Sequence, residues 1–441
     1  MKKLSMVLLL LAIGSVVWAQ GKTETASTTS QQVPSVTQPV TIQVWHTRGA
    51  GANGDMISSS VEEFNRTNTL GITVEEVYQG GYPTTLAKTM QAVAAGTNPQ
   101  IVVLERAAGV PVLAEQNVLM DMTPFIERDG LDMGNFPEVL LGFSHYNNQI
   151  ISLPYIRSTP VFYYNADMFE AAGLTAPQTI DELVAAGKKL TKVVNGKTEV
   201  HGFELLIDAG WFIQNMLVQM GSNLLSEDGL SVPALEDGTM LKALKAWRQW
   251  VDEGWTSAPI VTNASSAMLE RFYQGKLASF FTSSGSMSNI LRNAKNAGIN
   301  VGVAFLPTWD KPSAPTGGGN IAIIGRNSTG QQKAAAWEFV KFLMSDEQVA
   351  RNSAATGYLP TTHTSVSTQV IKDLWAATPQ FRVPFDQLAI AQELPWSKYK
   401  SEFEVVLNTI CSELIQDRSI TAEQAVAKLK TEASIIFPAS R

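Results

Sequence analysis

The 441-residue chain carries 33 basic and 40 acidic side chains, for a formal net charge of −7 and a pI near 5.3. With 45% hydrophobic and 17% charged residues it has the composition of a globular protein, long enough for two domains. The acidic balance argues against nucleic-acid binding, which needs a basic surface. The single cysteine, Cys411, excludes an intrachain disulfide, and its apolar helical surroundings predict a buried thiol.

The N-terminus has the features of a secretory signal. Lys2 and Lys3 precede an apolar run that is shorter than the about 20 residues needed to span a bilayer, and Ala19 ends a small-x-small pattern. We expect residues 1–19 to be removed on export to the periplasm. Residues 20–39, rich in Thr, Ser and Gln, are predicted to be a flexible leader. No cysteine stands at the expected new N-terminus, so we expect no lipid anchor.

The first part of the mature chain alternates between strand and helix patterns. Period-two alternation and short apolar runs predict strands, and apolar residues at helical spacing predict helices. The strands are predicted at 40–45, 72–78 and 101–104, and the helices at 56–68 and after a cap at Thr84 or Thr85. This β-α-β-α-β order predicts an α/β sheet with helices on both faces.

The same pattern returns in the second part of the chain and predicts a second α/β unit. Helices are predicted at 183–193, 240–254, from Met287 onward and at 334–353, and strands at 278–282 and 301–306. Gly357 is placed to end the long helix.

Several short segments, in their order along the chain, resemble the extracellular solute-binding proteins of carbohydrate-type ABC importers. Among these, the chain is most similar to the members that bind glycerol phosphate. The resemblance covers essentially the whole mature chain, and three of the segments together are fairly specific. The segments are WH at 45–46, FN at 64–65, QGGY at 79–82, STPVFYYN at 158–165, FEAAG at 169–173, SSGS at 283–286 and TGYLP at 356–360, the most specific being STPVFYYN, SSGS and TGYLP.

The resemblance implies an α/β fold of the type II periplasmic-binding-protein class. It has two discontinuous α/β lobes joined by crossover strands, with the ligand cleft between them. Placed on this chain, lobe one comprises 40–157 and 307–362, and lobe two comprises 158–306 and 363–441. The tyrosine-rich stretch 155–165 is then the first crossover between the lobes.

Candidate ligand contacts follow from position, and the resemblance supports them. Tyr82 follows two glycines at a predicted helix start, where N–H groups suit an anion, although a loop tyrosine packing on its own helix is the alternative. Glu105 ends a strand, where ligands of open α/β sheets bind, or else pairs with a neighbouring base. Ser158 offers a hydroxyl at the crossover, or else is a turn residue. Hydroxyls at a helix N-terminus can cradle an anion or a sugar, or simply cap the helix; these are Ser283, Ser284 and Ser286.

Four further positions complete the candidate site. Gly318 or Gly319 would contact ligand through its N–H, the alternative being a flexible turn; no Lys-Ser/Thr follows to make a P-loop. Tyr358 could reach the cleft with its hydroxyl, or belong to the core. Trp211 could stack on a sugar or on a choline-like cation, and a core tryptophan is an equal alternative.

One feature departs from the pattern of the glycerol-phosphate-binding members. They place an arginine in the C-terminal part that holds the phosphate in a bidentate fork, whereas residues 394–400 read LPWSKYK. Lys398 could act there as a point charge, which is not equivalent geometry. A neutral sugar or oligosaccharide is therefore a real alternative ligand.

These features predict a transport receptor that binds a small molecule without chemistry and presents it to an inner-membrane permease. We expect a monomer with no cofactor and no nucleic-acid partner. The four histidines are scattered and no HExxH or GxSxG motif occurs, so a metal site or a hydrolase elbow is not predicted. A secreted glycoside hydrolase remains a weaker alternative, and the sequence does not separate transport from nutrient sensing through a chemoreceptor.

Overall fold

The computed structural model describes residues 33–207, 209–258 and 264–438. The predicted signal, 1–19, and most of the predicted leader lie outside the described residues. Residues 34–39 already contact the fold: Pro34 accepts a hydrogen bond from Arg128 at 3.1 Å, and the Thr37 N–H donates to Gln331 at 3.0 Å. From Pro34 onward the described residues form one compact unit. No helix in the described ranges is long and apolar enough to cross a bilayer.

The described ranges alternate strands and helices throughout. The strands are β1 (Val40–His46), β2 (Ile72–Tyr78), β3 (Ile101–Glu105), β4 (His145–Tyr146), β5 (Gln149–Ile150), β6 (Leu153–Ser158), β7 (Pro160–Asn165), β8 (Lys192–Val194), β9 (Lys197–Val200), β10 (Ser279–Ser283), β11 (Val301–Ala304), β12 (Ala314–Pro315), β13 (Gly317–Ile323) and β14 (Ala391–Gln392). The helices are α1 (Ala52–Thr67), α2 (Tyr82–Ala95), α3 (Gly109–Glu115), α4 (Thr123–Asp129), α5 (Ala166–Ala171), α6 (Ile180–Leu190), α7 (Gln214–Gln219), α8 (Pro233–Glu236), α9 (Thr239–Asp252), α10 (Ala264–Tyr273), α11 (Met287–Asn296), α12 (Gly330–Leu343), α13 (Asp346–Thr356), α14 (Gln369–Ala377), α15 (Val383–Asp386), α16 (Lys400–Gln416) and α17 (Ala422–Ile436).

Two sheets organise the fold. The first has the strand order β2-β1-β3-β13-β6, in which β1 runs parallel to β2 and β3, while β13 runs antiparallel to β3 and β6. The second has the order β10-β7-β11 and is antiparallel. The strands of each sheet come from distant parts of the sequence, as the predicted discontinuous lobes require. The exact lobe boundaries stay a prediction.

The chain passes from the first sheet to the second within three residues. Ser158 is the last residue of β6 and pairs with Gly317 of the first sheet. Pro160 begins β7 and pairs with Ser283 of the second sheet. Thr159 alone lies between them, and its backbone oxygen accepts a hydrogen bond from the N–H of Ser284 at 2.9 Å. This is the predicted first crossover, and it brings the ends of both sheets together.

Apolar clusters support each sheet separately. The largest joins α6, α9, α16 and α17 to one face of the second sheet, and the predicted buried thiol of Cys411 belongs to it. Burial there raises the pKa of Cys411 to about 12. A smaller cluster covers the other face of the second sheet, and another packs α3 against the first sheet. Both clusters of the second sheet include residues of β7 immediately after the crossover, among them Val161 and Phe162, so the crossover is anchored to an apolar core on the side of the second sheet.

Several helix predictions were wrong at their boundaries, and the one at 183–193 runs past the end of α6 at Leu190 into β8. The single helix predicted at 334–353 is two helices, because the Ser345 side chain accepts the N–H of Gln348 and starts α13, with Asp346 and Glu347 in its first turn. The second helix of the chain begins at Tyr82, not after a threonine cap; Thr85 instead donates its hydroxyl to Gly81 at 3.1 Å. Gly357 ends α13 with a φ of 96°, as predicted.

The end of β1 holds a buried histidine that is neutral in the folded protein. His46 Nδ1 accepts the N–H of Arg48 at 3.2 Å, which requires an unprotonated nitrogen. Glu76 lies 3.4 Å from Nε2 and would favour the imidazolium, but burial and the Arg48 charge outweigh it and lower the pKa of His46 to about 4.

This lowered pKa predicts a loss of stability in acid. The unfolded chain binds a proton at His46 near pH 6.5 and the folded chain only near pH 4, so the free energy of unfolding should fall by roughly 2–3 kcal/mol between pH 7 and pH 4.5. Urea unfolding of His46→Gln at both pH values should lack that part of the acid loss. The exposed His363 provides the control, and an equal effect of His363→Gln would contradict the assignment.

Candidate functional site

A cavity of about 290 Å³ lies where the two sheets meet, and we call it the central cavity. It opens beyond the carboxyl end of β3 and beside the crossover, the place where open α/β sheets bind ligands. Its lining comes from both sheets and from the C-terminal segment. The lining residues are Tyr82, Glu105, Arg106, Ser158, Trp211, Ser283, Gly318, Tyr358, Leu394, Lys400 and Glu404.

Strand register assembles most of this lining. Glu105 at the end of β3 pairs with Gly319, and Gly317 at the start of β13 pairs with Ser158. On the other side of the crossover, Ser283 pairs with Pro160. Residues separated by more than one hundred positions in sequence therefore become neighbours through three strand pairings.

The glycines of β13 allow the backbone and an indole ring to approach closely. Gly318 has a φ of 86°, and a Cβ there would lie 2.0 Å from the Ile156 carbonyl oxygen. A Cβ on Gly317 would lie 2.0 Å from Cζ2 of Trp211. Only glycine fits at either position. The Gly317–Trp211 contact explains how a tryptophan that packs against the large cluster also lines the central cavity.

Two tyrosines add neutral hydroxyl groups to the lining. Burial raises the pKa of Tyr82 well above its usual value, and the neighbouring Tyr358 and Glu105 act in the same direction. Burial also raises the pKa of Tyr358, whose ring lies 4.9 Å from the guanidinium carbon of Arg48. Both phenols are therefore protonated at neutral pH and can donate hydrogen bonds to a ligand oxygen.

Seven predicted contacts line the central cavity, and four do not. Ser284 is fully buried, and its Oγ lies 3.4 Å from the backbone nitrogen of Thr159, so it supports the crossover. Ser286 heads α11 away from the lining. Gly319 lies behind Tyr82, whose hydroxyl would be 2.9 Å from a Cβ at that position. The seven are Tyr82, Glu105, Ser158, Trp211, Ser283, Gly318 and Tyr358.

Lys400, and not the predicted Lys398, lines the central cavity. Lys398 has 49% of its side chain exposed and lies 3.8 Å from Glu115, outside the lining. Lys400, the first residue of α16, is 4% exposed and lines the central cavity. The sequence places both lysines in one short segment, and only the start of α16 decides which of them points inward.

Arg106, Leu394 and Glu404 were not predicted from the sequence. Arg106 follows the strand-ending Glu105 and was expected only as a possible partner for that carboxylate. Leu394 lies in an irregular segment with no periodicity. Glu404 lies one helical turn after Lys400, a spacing at which a carboxylate and an ammonium meet; this i, i+4 pairing is the signal that was available.

Only one of the three guanidinium nitrogens of Arg106 has hydrogen-bond partners among the described residues. Its Nη2 lies 2.9 Å from Glu393 Oε1 and also donates to the carbonyl oxygen of Thr316. The guanidinium carbon lies 5.2 Å from the centre of the Phe143 ring. Nε and Nη1 are buried and have no hydrogen-bond partner among the described residues. Buried donors of this kind are rare in folded proteins, so Arg106 is an incompletely partnered cation of the lining.

Lys400 and Glu404 form the second charged pair of the lining. The Lys400 ammonium donates to Glu404 Oε1 across one turn of α16. Burial raises the pKa of Glu404, and the charge of Lys400 opposes that shift. Lys400 also stands at the positive end of the α16 dipole. Within the described ranges, no three His, Cys, Asp or Glu residues cluster as metal ligands.

The chain is similar to known binding proteins in both sequence and structure. It is 26% identical over 374 residues to the sn-glycerol-3-phosphate-binding periplasmic protein UgpB of Pectobacterium atrosepticum, covering 81% of each chain. UgpB of Rhizobium meliloti is 26% identical over 338 residues, covering 73% of this chain and 75% of the relative.

Solved structures confirm the fold. UgpB from Mycobacterium tuberculosis in complex with glycerophosphocholine superposes with a TM-score of 0.79 at 23% identity, covering 91% of this chain and 98% of that one. The GacH receptor of Streptomyces glaucescens, solved with acarbose, gives 0.78 at 19% identity, covering 91% and 99%. These neighbours have the predicted type II periplasmic-binding-protein fold. The model of the bacterial extracellular solute-binding protein family matches residues 59–381, more than half of the chain. The chain therefore belongs to the family of bacterial extracellular solute-binding proteins.

Proposed function

We propose that this solute-binding protein of an ABC importer captures a glycerol phosphate compound in the periplasm, with a glycerophosphodiester preferred. The observation that carries the proposal is the pair of buried cations, Arg106 and Lys400, in one small cavity with neutral hydroxyl donors. Phosphate oxygens accept hydrogen bonds from such groups strongly. The glycerol-phosphate-binding relatives and the glycerophosphocholine complex support the same ligand class.

The charge balance of the lining favours a diester over a monoester. Two cations, Arg106 and Lys400, face two carboxylates, Glu105 and Glu404, so the lining residues carry no net charge. A phosphate monoester brings a charge of about −1.5 to −2 at pH 7, whereas a diester has one ionised oxygen. The smaller excess charge costs less to bury. Glu105 is then placed to accept hydrogen bonds from glycerol hydroxyl groups.

A small neutral sugar is the second candidate. A carboxylate beside an indole face, here Glu105 and Trp211, also suits a sugar ring. The structural neighbour solved with acarbose shows that this fold accommodates sugars. The volume of about 290 Å³ is at the low end of the about 300–1,000 Å³ range for ligand pockets, which disfavours an oligosaccharide.

We further propose that the protein is exported after cleavage near Ala19, acts as a monomer and leaves its ligand chemically unchanged. The two sheets would move about the crossover at Thr159, and the ligand would shift the population toward the closed form, which the permease recognises. Ligand recovered from the denatured complex should have its original mass. A cleaved product would instead support the hydrolase alternative.

A ligand panel tests the proposed class. Residues 20–441 would be unfolded and refolded to remove bound solute, and then melted with glycerophosphocholine, glycerol-3-phosphate, glycerol, glucose or maltose. A ligand at 100 times its dissociation constant stabilises the folded state by about 2.7 kcal/mol. We expect the largest shift with glycerophosphocholine and a smaller one with glycerol-3-phosphate. Shifts with sugars alone would contradict the proposal and move the ligand class to carbohydrate.

Two lysine variants test which cation contacts the phosphate. Lys400→Met should weaken glycerophosphocholine binding between about 10- and 150-fold, because it removes a buried charge-assisted hydrogen bond. Lys398→Met is the matched control in the same segment. Its pair with Glu115 is exposed, so its dissociation constant, measured by calorimetry, should change less than about twofold. The reverse ranking would contradict the placement of Lys400.

Adding one methyl group behind Trp211 tests its role in the lining. Gly317→Ala places a Cβ 2.0 Å from the indole, so the ring must move and binding should weaken by about tenfold. Gly81→Ala is the control, since the nearest atom to its Cβ is Pro83 Cδ at 4.0 Å. Unchanged calorimetric affinity in Gly317→Ala would show that Trp211 is a core residue only.

A further inference from the structure

A carboxylate outside the central cavity bridges two buried arginines, one of which lines the cavity. Glu393 follows β14, and its Oε1 lies 2.9 Å from Arg106 while its Oε2 lies 2.9 Å from Arg157. Thr316 donates its hydroxyl to Oε1 at 2.8 Å. The stem of Glu393 packs on Gly142, where a Cβ would lie 2.4 Å from Cγ. Contacts on every side therefore fix this carboxylate, and it is not among the lining residues.

The two arginines that share Glu393 have different roles. Arg157 is fully buried and donates five hydrogen bonds, so no nitrogen remains for a ligand. Arg106 lines the central cavity and keeps Nε and Nη1 without partners among the described residues. Any change in the charge of Glu393 therefore alters the electrostatic potential that Arg106 presents to a ligand in the central cavity.

The effect of this charge is strong because the surroundings are dry. Arg106 is 2% exposed and the Glu393 side chain 13%, so the field of the carboxylate is weakly screened. Glu393 cancels part of the positive potential that Arg106 would otherwise present. The charge of Glu393 therefore acts on Arg106, and through it on an anion in the central cavity, with little screening by solvent.

We propose that Glu393 determines the specificity of the central cavity for the charge of its ligand. This inference rests on the proposed function. By placing one negative charge against Arg106 without touching the ligand, Glu393 limits the anionic charge that the cavity accepts to about one. The protein therefore selects phosphate diesters over the dianionic monoester, although both have the same glycerol and phosphate groups.

The test is the ratio of the dissociation constants for glycerol-3-phosphate and glycerophosphocholine, measured by calorimetry. Glu393→Gln removes the charge and keeps the shape, so the ratio should fall at least about tenfold toward the monoester. Because both ligands are measured on the same folded sample, a loss of overall stability does not alter the ratio. An unchanged ratio would overturn the proposal.

A second variant separates charge from structure. Thr316→Val removes the hydroxyl that bonds both Glu393 and Arg157 but changes no charge. It should lower the melting temperature and leave the ratio within about twofold. A ratio that moves as far as in Glu393→Gln would mean that Glu393 acts only by holding the structure. Glu115→Gln, which breaks the surface pair with Lys398, is the control for the loss of a carboxylate elsewhere.

A measurement on the unaltered protein tests the proposal even if Glu393→Gln does not fold. The second pKa of a phosphate monoester is about 6, so glycerol-3-phosphate is mostly a monoanion at pH 5, whereas the diester keeps one charge. Both compounds are measured against the same protein groups at each pH; the titratable groups around the cavity are Glu105, Arg106, Lys400, Glu404, Arg157, Glu393, Tyr82 and Tyr358. The ratio should favour the monoester at pH 5 relative to pH 8, and a constant ratio would overturn the proposal. Binding of neither phosphate ester would instead refute the proposed function itself.

Discussion

The buried guanidinium of Arg157 constrains the centre of this molecule. A cation with no solvent exposure must be paired and hydrogen-bonded, because the cost of burying it alone exceeds the stability of most domains. Arg157 meets that requirement with bonds to Gly317, Leu140, Asn320, Thr316 and Glu393. Burial lowers the pKa of Arg157 to about 10, and the charge of Glu393 opposes that shift. The position of Glu393, and hence of Arg106, follows from this one requirement.

The same requirement shapes the crossover between the sheets. The Gln387 amide donates to Thr159 at 2.9 Å and to Pro160 at 2.7 Å, and accepts the N–H of Leu306 at 2.9 Å. Thr159 in turn donates to Pro315 at 3.0 Å. Three separate passages of the chain are thus tied by directional bonds as well as by apolar packing. Such a joint can turn with small changes in bond angle while both apolar cores stay intact, as the proposed closure requires.

The sequence is most informative where strand ends alone decide position. Glu105 was predicted as a ligand contact from the rule that open α/β sheets bind ligands beyond the carboxyl ends of their strands, whereas Ser158 and Gly318 also needed the family resemblance; all three line the central cavity. The helix boundary at Ser345 was missed because the apolar spacing continues across it, and only a side-chain cap marks the break. Local patterns therefore predict the sheets and much of the lining.

What the sequence could not provide was the pairing of charges. Nothing in the sequence distinguishes Lys398 from Lys400. Because α16 starts at Lys400, that lysine points into the cavity and Lys398 points toward Glu115. Arg106 and Glu393 are 287 positions apart, and no periodicity connects them. Ser284 was predicted to face ligand because its hydroxyl is small and near a helix start, yet its Oγ lies beside the backbone nitrogen of Thr159 at the crossover. These outcomes depend on tertiary contacts that a single sequence does not encode locally.

The central cavity is therefore best understood as a hydrogen-bonded network with one incomplete position. Each unpartnered buried donor costs about 1–3 kcal/mol, and Arg106 has two such nitrogens among the described residues. Opening the proposed hinge would return those donors to water, whereas closing on a ligand acceptor would satisfy them without water. The ligand then interacts more favourably with the closed form than with the open one, and this difference is what a population shift requires. In the proposed mechanism, the incomplete partnering of Arg106 would contribute both to affinity and to the free energy that couples binding to closure.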